Sequence, residues 1–90
     1  MTKYILSVTM RDGATRRYIH DLADGARAGI MEAKPGHRGW LWYYNEYDPT
    51  FDGSPYHRLH TSVIQSVEHD GSDIVIVTQN TIYRLTAIEE

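Results

Sequence analysis

Three short apolar runs close the chain between Thr61 and Ile88, broken at Asp70-Gly71 and at Gln79-Asn80. Runs of this length between turn residues predict an antiparallel three-strand meander. A two-residue turn at Gln79-Asn80 sets Thr78 opposite Thr81, Ile76 opposite Tyr83 and Ile74 opposite Leu85. The Asp70-Gly71 turn sets Val67 opposite Ile74 and Val63 opposite Thr78. One face then collects Val63, Val67, Ile74, Ile76, Tyr83, Leu85 and Ala87, and is the expected core. The other face collects Ile64, Val75, Val77 and Ile82. A sheet apolar on both sides needs cover on both sides, from barrel closure, a helix or a second subunit. The same register puts Glu68 opposite Asp73, a like-charge pair that leaves a longer loop open.

Upstream, Tyr4, Leu6, Val8 and Met10 alternate with Ile5, Ser7 and Thr9, the period of a half-buried strand. Asp12-Gly13 follows as a hairpin turn, with Ala14–Ile19 as the expected return strand. Leu6 then faces Ile19 or Tyr18, depending on the loop length. Arg16 and Arg17 point to opposite sides, so one of them lies near the core or the sheet edge there is exposed. Asp21 suits a helix N-cap, and Leu22, Ala26, Ile30 and Ala33 form a stripe that predicts a short helix over Leu22–Ala33. Gly25 and Gly29 each cost such a helix about 1 kcal/mol. Pro35-Gly36 ends it.

Trp40–Tyr47, WLWYYNEY, reads as a strand by its aromatic content. Trp40, Trp42 and Tyr44 share one side; Leu41, Tyr43, Asn45 and Tyr47 share the other, and one side is core. A loop from Asp48 to Pro55 follows, with Phe51 at its centre. A strand resumes at Tyr56–His60 and leads straight into the meander. The whole is one small β-rich domain over residues 1–90, mainly β or α+β. It is expected to be an antiparallel sheet or barrel of five to six strands with one short helix.

Composition narrows the functional classes. The chain has no cysteine, which excludes disulfides and thiolate metal sites. No run approaches the ~20 apolar residues of a membrane span, and the first strand lacks the pattern of a signal peptide, so the expected location is cytoplasmic. The net charge of −3 disfavours general nucleic-acid binding. The charge is uneven: residues 1–38 carry seven Lys/Arg against four Asp/Glu, and residues 39–90 two against eight. The two halves either cancel within one fold or give a dipolar surface that docks on a charged partner or assembles head to tail.

Catalytic chemistry finds little support. His57 and His60 have three-residue spacing, with His37 or Asp48 to complete a metal site, but on a strand the pair points to opposite faces. Ser54, Ser62, Ser66 and Ser72 sit in no nucleophile motif. Glu46 and Asp48 are neighbouring loop carboxylates, which are ordinarily solvated. No cofactor motif is present, and no enzymatic role is expected. The richest constellation is Arg38, Trp40, Trp42, Tyr44, Tyr47, Phe51, Tyr56 and Arg58, because Trp, Tyr and Arg dominate interface hot spots. Stacked bases would use the same rings, with Arg16, Arg17 and Arg38 following phosphates.

The segments Thr61-Ser62-Val63-Ile64 and Val75-Ile76-Val77-Thr78-Gln79-Asn80-Thr81-Ile82-Tyr83-Arg84-Leu85 together have the form TSxV…VxTxN[ST]xYxL. This third of the chain resembles the end of many small phage and prophage accessory proteins. Its motif is hairpin grammar: Asn80 offers a φ > 0 position, and the threonines pair across the strands. The resemblance implies a compact accessory protein, of a class often made of inhibitors of host or defence machinery. The leading expectation is therefore a non-enzymatic protein binder whose contact region is 38–58. A small barrel binding single-stranded nucleic acid and a homo-oligomeric structural protein, such as a homodimer, are the alternatives.

Overall fold

The computed structural model describes residues 4–11, 13–45 and 53–88. Six strands and one short helix follow in the order β1 (Tyr4–Met10), α1 (Tyr18–Ala23), β2 (Arg27–Glu32), β3 (Arg38–Tyr44), β4 (Tyr56–Asp70), β5 (Asp73–Thr78) and β6 (Thr81–Ala87). Each strand pairs antiparallel with the next, and β6 returns to β1 to close a barrel. Leu6, Val8, Ala28, Leu41, Tyr43, Leu59, Ile64, Ile76, Tyr83 and Leu85 fill the interior, with Ala23 added from the helix. No helix among the described residues is long and apolar enough to cross a membrane.

β4 is the backbone of the architecture. Its first half pairs with β3 and its second half with β5, and the register slips between Ile64 and Ser66. Such a bulge bends a strand and raises its twist, which lets a short sheet curl shut. Gly36 N–H donates to Ile64 O at 2.8 Å, and Ile64 N–H donates to His37 O at 2.9 Å, so the β2–β3 turn holds the bend.

The β5–β6 hairpin has the expected register, with Ile74 opposite Leu85 and Ile76 opposite Tyr83. Its turn is closed differently, because no described non-glycine residue, Asn80 included, has a positive φ. The Thr78 hydroxyl donates to Thr81 O at 2.8 Å and accepts from Thr81 N–H at 3.0 Å, both buried. The β4–β5 register is corrected twice. Gly71 and Ser72 form the loop, so Asp70 faces Asp73 and Val67 faces Ile76 instead of Ile74. That two-residue slide preserves the faces. The one-residue slip at the bulge inverts them, so Ile64 turns into the core at 1% exposure and Val63 turns out at 44%. Barrel closure thus covers the inner face, while Val75, Val77 and Ile82 stay on the outer wall, half-buried.

The N-terminal third departs most from expectation. β1 pairs with β6 along its length and meets β2 only at Tyr4 and Ile5, so Ala14–Ile19 is no return strand. The helix occupies Tyr18–Ala23, with Arg17 rather than Asp21 at its N-cap. Gly25, at φ +83°, turns the chain into β2, whose residues had been assigned to the helix. Beyond Ile5 the edge of β1 is finished by other groups. Leu6 N–H donates to Ala26 O at 2.9 Å, and Gly25 N–H donates to Leu6 O at 2.7 Å. Val8 N–H donates to an Asp24 carboxylate oxygen at 2.9 Å, and Arg16 Nη1 donates to Val8 O at 3.2 Å. Arg16 also pairs with Asp21 and, at 3.3 Å, with Asp24. It is therefore the arginine at the exposed sheet edge.

Candidate binding surface

Strand alternation makes this surface. On β3, Gly39, Leu41 and Tyr43 point into the barrel and are buried, which sends Arg38, Trp40, Trp42 and Tyr44 outward. Across the ladder Trp40 faces His60, Trp42 faces Arg58, and Tyr44 faces Tyr56. Six of the expected contact residues, Arg38, Trp40, Trp42, Tyr44, Tyr56 and Arg58, therefore share one outer wall. Tyr47 and Phe51 lie outside the described residues.

The rings are ordered by one another. Trp40 lies flat against His60, centroids 4.1 Å apart and planes 3° from parallel. Tyr56 meets Trp42 edge-on at 5.8 Å and Tyr44 edge-on at 5.3 Å. The Arg27 guanidinium sits 4.9 Å over the Tyr44 ring. Contacts of this kind are each worth about 0.5–1.5 kcal/mol. Together Arg27, Trp42, Tyr44 and Tyr56 line a shallow cleft of about 190 Å³. Tyr56 remains 57% exposed and Trp40 36%, so the wall keeps aromatic area to offer.

Gly29 determines how Trp42 lies. It faces Trp42 across the β2–β3 ladder, and a Cβ at this glycine would stand 2.3 Å from the indole nitrogen. A bare backbone here lets the indole lie down over β2. Arg27, Gly29 and His60 belong to the surface but were missed. A helix over 22–33 removes the first two from any strand, and His60 enters the sequence reading only through its spacing from His57.

The charge of the wall is positive. Among the described residues no carboxylate pairs with Arg27, Arg38 or Arg58; the ion pairs involve Arg16 and Arg84. Glu32 is the acidic residue of β2 on the same ladder, opposite Trp40. His57 faces inward, stacked on Tyr43 at 5.0 Å, with its Nε2 buried and without a hydrogen-bond partner among the described residues. His57 and His60 thus lie on opposite sides of β4, and among the described residues no group of three or more His, Cys, Asp or Glu is placed to hold a metal ion. No family model, curated protein or solved structure matches the chain.

Proposed function

We propose that the chain is a non-enzymatic binding protein, an accessory protein or inhibitor of phage type. It acts by covering an acidic patch on a partner protein with the outer wall of β3 and β4. The observation that carries this reading is the convergence of Trp40, Trp42, Tyr44 and Tyr56 on one exposed wall, edged by Arg27, Arg38 and Arg58. Large aromatics held in place before binding lose little side-chain freedom on docking, and arginines beside them add carboxylate recognition. Side chains fill the barrel interior, which leaves binding to the surface of the barrel. The phage assignment rests on the TSxV…VxTxN[ST]xYxL hairpin alone.

Net charge weighs against general single-stranded nucleic-acid binding, since the chain carries −3. The rings keep at most one open face each for stacking, because His60 takes one face of Trp40, Gly29 one of Trp42 and Arg27 one of Tyr44. Of the arginines that would follow phosphates, Arg16 is tied to Asp21 and Asp24 at the β1 edge.

The test is partner capture from the native host with the wild type and with Trp40→Ala/Arg58→Ala, after circular dichroism has shown both folded. Hot-spot side chains contribute about 2 kcal/mol each, so the variant is expected to bind the captured protein at least roughly tenfold more weakly. Undiminished capture would remove the assignment of this wall. Titration with a fluorescent oligonucleotide at low salt is expected to show no binding. Light scattering that returned a stable dimer whose formation needs Trp40 would make a second copy the partner.

A further inference from the structure

One end of the barrel opens into a second, larger concavity of about 340 Å³. Arg17 and His20 reach it from the segment before α1 and from α1 itself, and Arg38 from β3. His60 and Ser62 line it from β4, and Tyr83 from β6. Asn80, in the β5–β6 turn, donates to Ser62 Oγ at 3.1 Å, which leaves that hydroxyl proton free to turn toward the concavity. No carboxylate appears among its described lining residues. The segment before α1 and β3 each bring one guanidinium to this concavity, and α1, β4 and β6 bring neutral donors beside them, with no described carboxylate in the lining to offset the two charges.

The donors are oriented. Arg38 Nε donates to Thr61 O at 2.9 Å, which fixes the guanidinium plane and leaves both terminal nitrogens available. Arg17 N–H donates to His20 Nδ1 at 3.0 Å. The neutral His20 ring therefore carries its proton on Nε2 and is a donor there. Burial first, then the charges of Arg16 and Arg17, hold His20 below its ordinary pKa, with Asp21 opposing. Burial raises the Tyr83 phenol, while Thr81 and the Arg17 charge oppose that rise. Arg17 thus acts on both His20 and Tyr83, on two walls of the same concavity.

We infer that this barrel mouth binds the phosphoryl group of a small phosphomonoester, with Arg17 and Arg38 as its charge clamp and His20, His60, Ser62 and Tyr83 as further donors. Two guanidinium forks and several neutral donors exceed what the two oxygens of a carboxylate accept, and they suit the three or four oxygens of a phosphate. The volume lies at the lower end of small-molecule pockets and leaves room for an organic body beyond the phosphate. The site does not depend on whether the aromatic wall binds a partner.

Proton NMR of the full chain tests this through the ring signals of His20 and His60. The ligands are inorganic phosphate, adenosine monophosphate and adenosine, each up to about 10 mM against chloride of equal ionic strength. The phosphomonoester is expected to shift both histidines and to raise the titration midpoint of His20, since an anion favours the imidazolium. Arg16, Arg17 and Asp21 bear on that midpoint from the same stretch of chain, and Arg38, His60 and Tyr83 from the facing strands. Arg17→Gln and Arg38→Gln are each expected to weaken binding roughly tenfold, as loss of a charge-assisted bond would. If Arg38→Gln fails to fold, Arg17→Gln carries the comparison alone. A response to inorganic phosphate equal to that of the monophosphate would support a site for the free anion. Equal responses to adenosine and its monophosphate, no response above chloride, or full binding by the folded arginine variants would overturn the inference.

Discussion

Gly29 and His20 show how single residues hold the two concave surfaces. Gly29→Ala places a methyl 2.3–2.6 Å from three indole atoms of Trp42, so the ring must swing off β2. The variant is expected to lose about 1–3 kcal/mol, as overpacked sites do, and to shift tryptophan emission to longer wavelength as Trp42 meets water. Unchanged emission and melting temperature would refute the packing described. His20 gives a pH effect whose sign is fixed. Its folded-state pKa lies below the ordinary value, so in mild acid the unfolded chain binds a proton that the folded chain does not. The stability it contributes is complete above about pH 6.5 and falls as the pH drops from there through the lower folded value. His20→Asn keeps an acceptor for Arg17 N–H and removes the titration. Thermal melts between about pH 7.5 and pH 5 are expected to slope less for this variant than for wild type. Parallel slopes would contradict the assignment.

At the scale of elements, the weak point of the barrel is the edge of β1 beyond Ile5, which side chains finish instead of β2. Asp24→Ala leaves Val8 N–H without its carboxylate partner and Arg16 without one of its anions. It is expected to cost about 1–3 kcal/mol in denaturant melts, and to speed amide exchange at Val8 before the rest of β1. Exchange unchanged at Val8 would mean that water serves the edge equally well. The same elements show what was legible beforehand. The alternation of 40–44 was read correctly, because Leu41 and Tyr43 are inward and the flanking rings outward. The β5–β6 register was also legible, since a two-residue turn leaves no freedom once its position is known. The helix over 22–33 failed for a specific reason. Leu22 lies in α1, Ala26 in the turn and Ile30 in β2, so apolar residues of three different segments fall on one helical stripe by spacing alone. Gly25 and Gly29, penalties in the helix, were the clue to a turn and a strand. Asp12-Gly13 suggested a local hairpin, yet the long partner of β1 is β6, some seventy residues away, where no local grammar reaches. The bulge at Ile64–Ser66 left no mark in the apolar pattern, because Val63 and Ile64 are both apolar and either could turn inward.

At the scale of the whole molecule, barrel closure sorts the charges that the sequence left unevenly distributed. Arg84 bridges Asp70 and Asp73, both at 2.8 Å, and so offsets half the charge of the carboxylates that the β4–β5 loop sets face to face. Arg16 does the same for Asp21 and Asp24. Of the arginines without a described carboxylate, Arg27, Arg38 and Arg58 lie on or beside the β3–β4 wall and Arg17 at the adjoining mouth, to which Arg38 and His60 also belong, while Arg11 donates to Gln65 and to Thr78 O. For the six wall residues of β3 and β4, alternation gave the grouping on one side of the strand but not which side faces out; the burial of Leu41 and Tyr43 decides that. Arg27 and Gly29 could not be grouped with them by alternation, since their place on the wall depends on β2 pairing with β3. The most direct test of this wall as the contact surface is quantitative partner capture by three forms of the chain: wild type, Trp40→Ala/Arg58→Ala, and Val75→Thr/Ile82→Thr as a control on the outer face of β5 and β6. The expected result is a captured protein held equally by wild type and the control but lost from Trp40→Ala/Arg58→Ala. Capture lost only from the Val75/Ile82 variant, or kept by all three, would contradict the account.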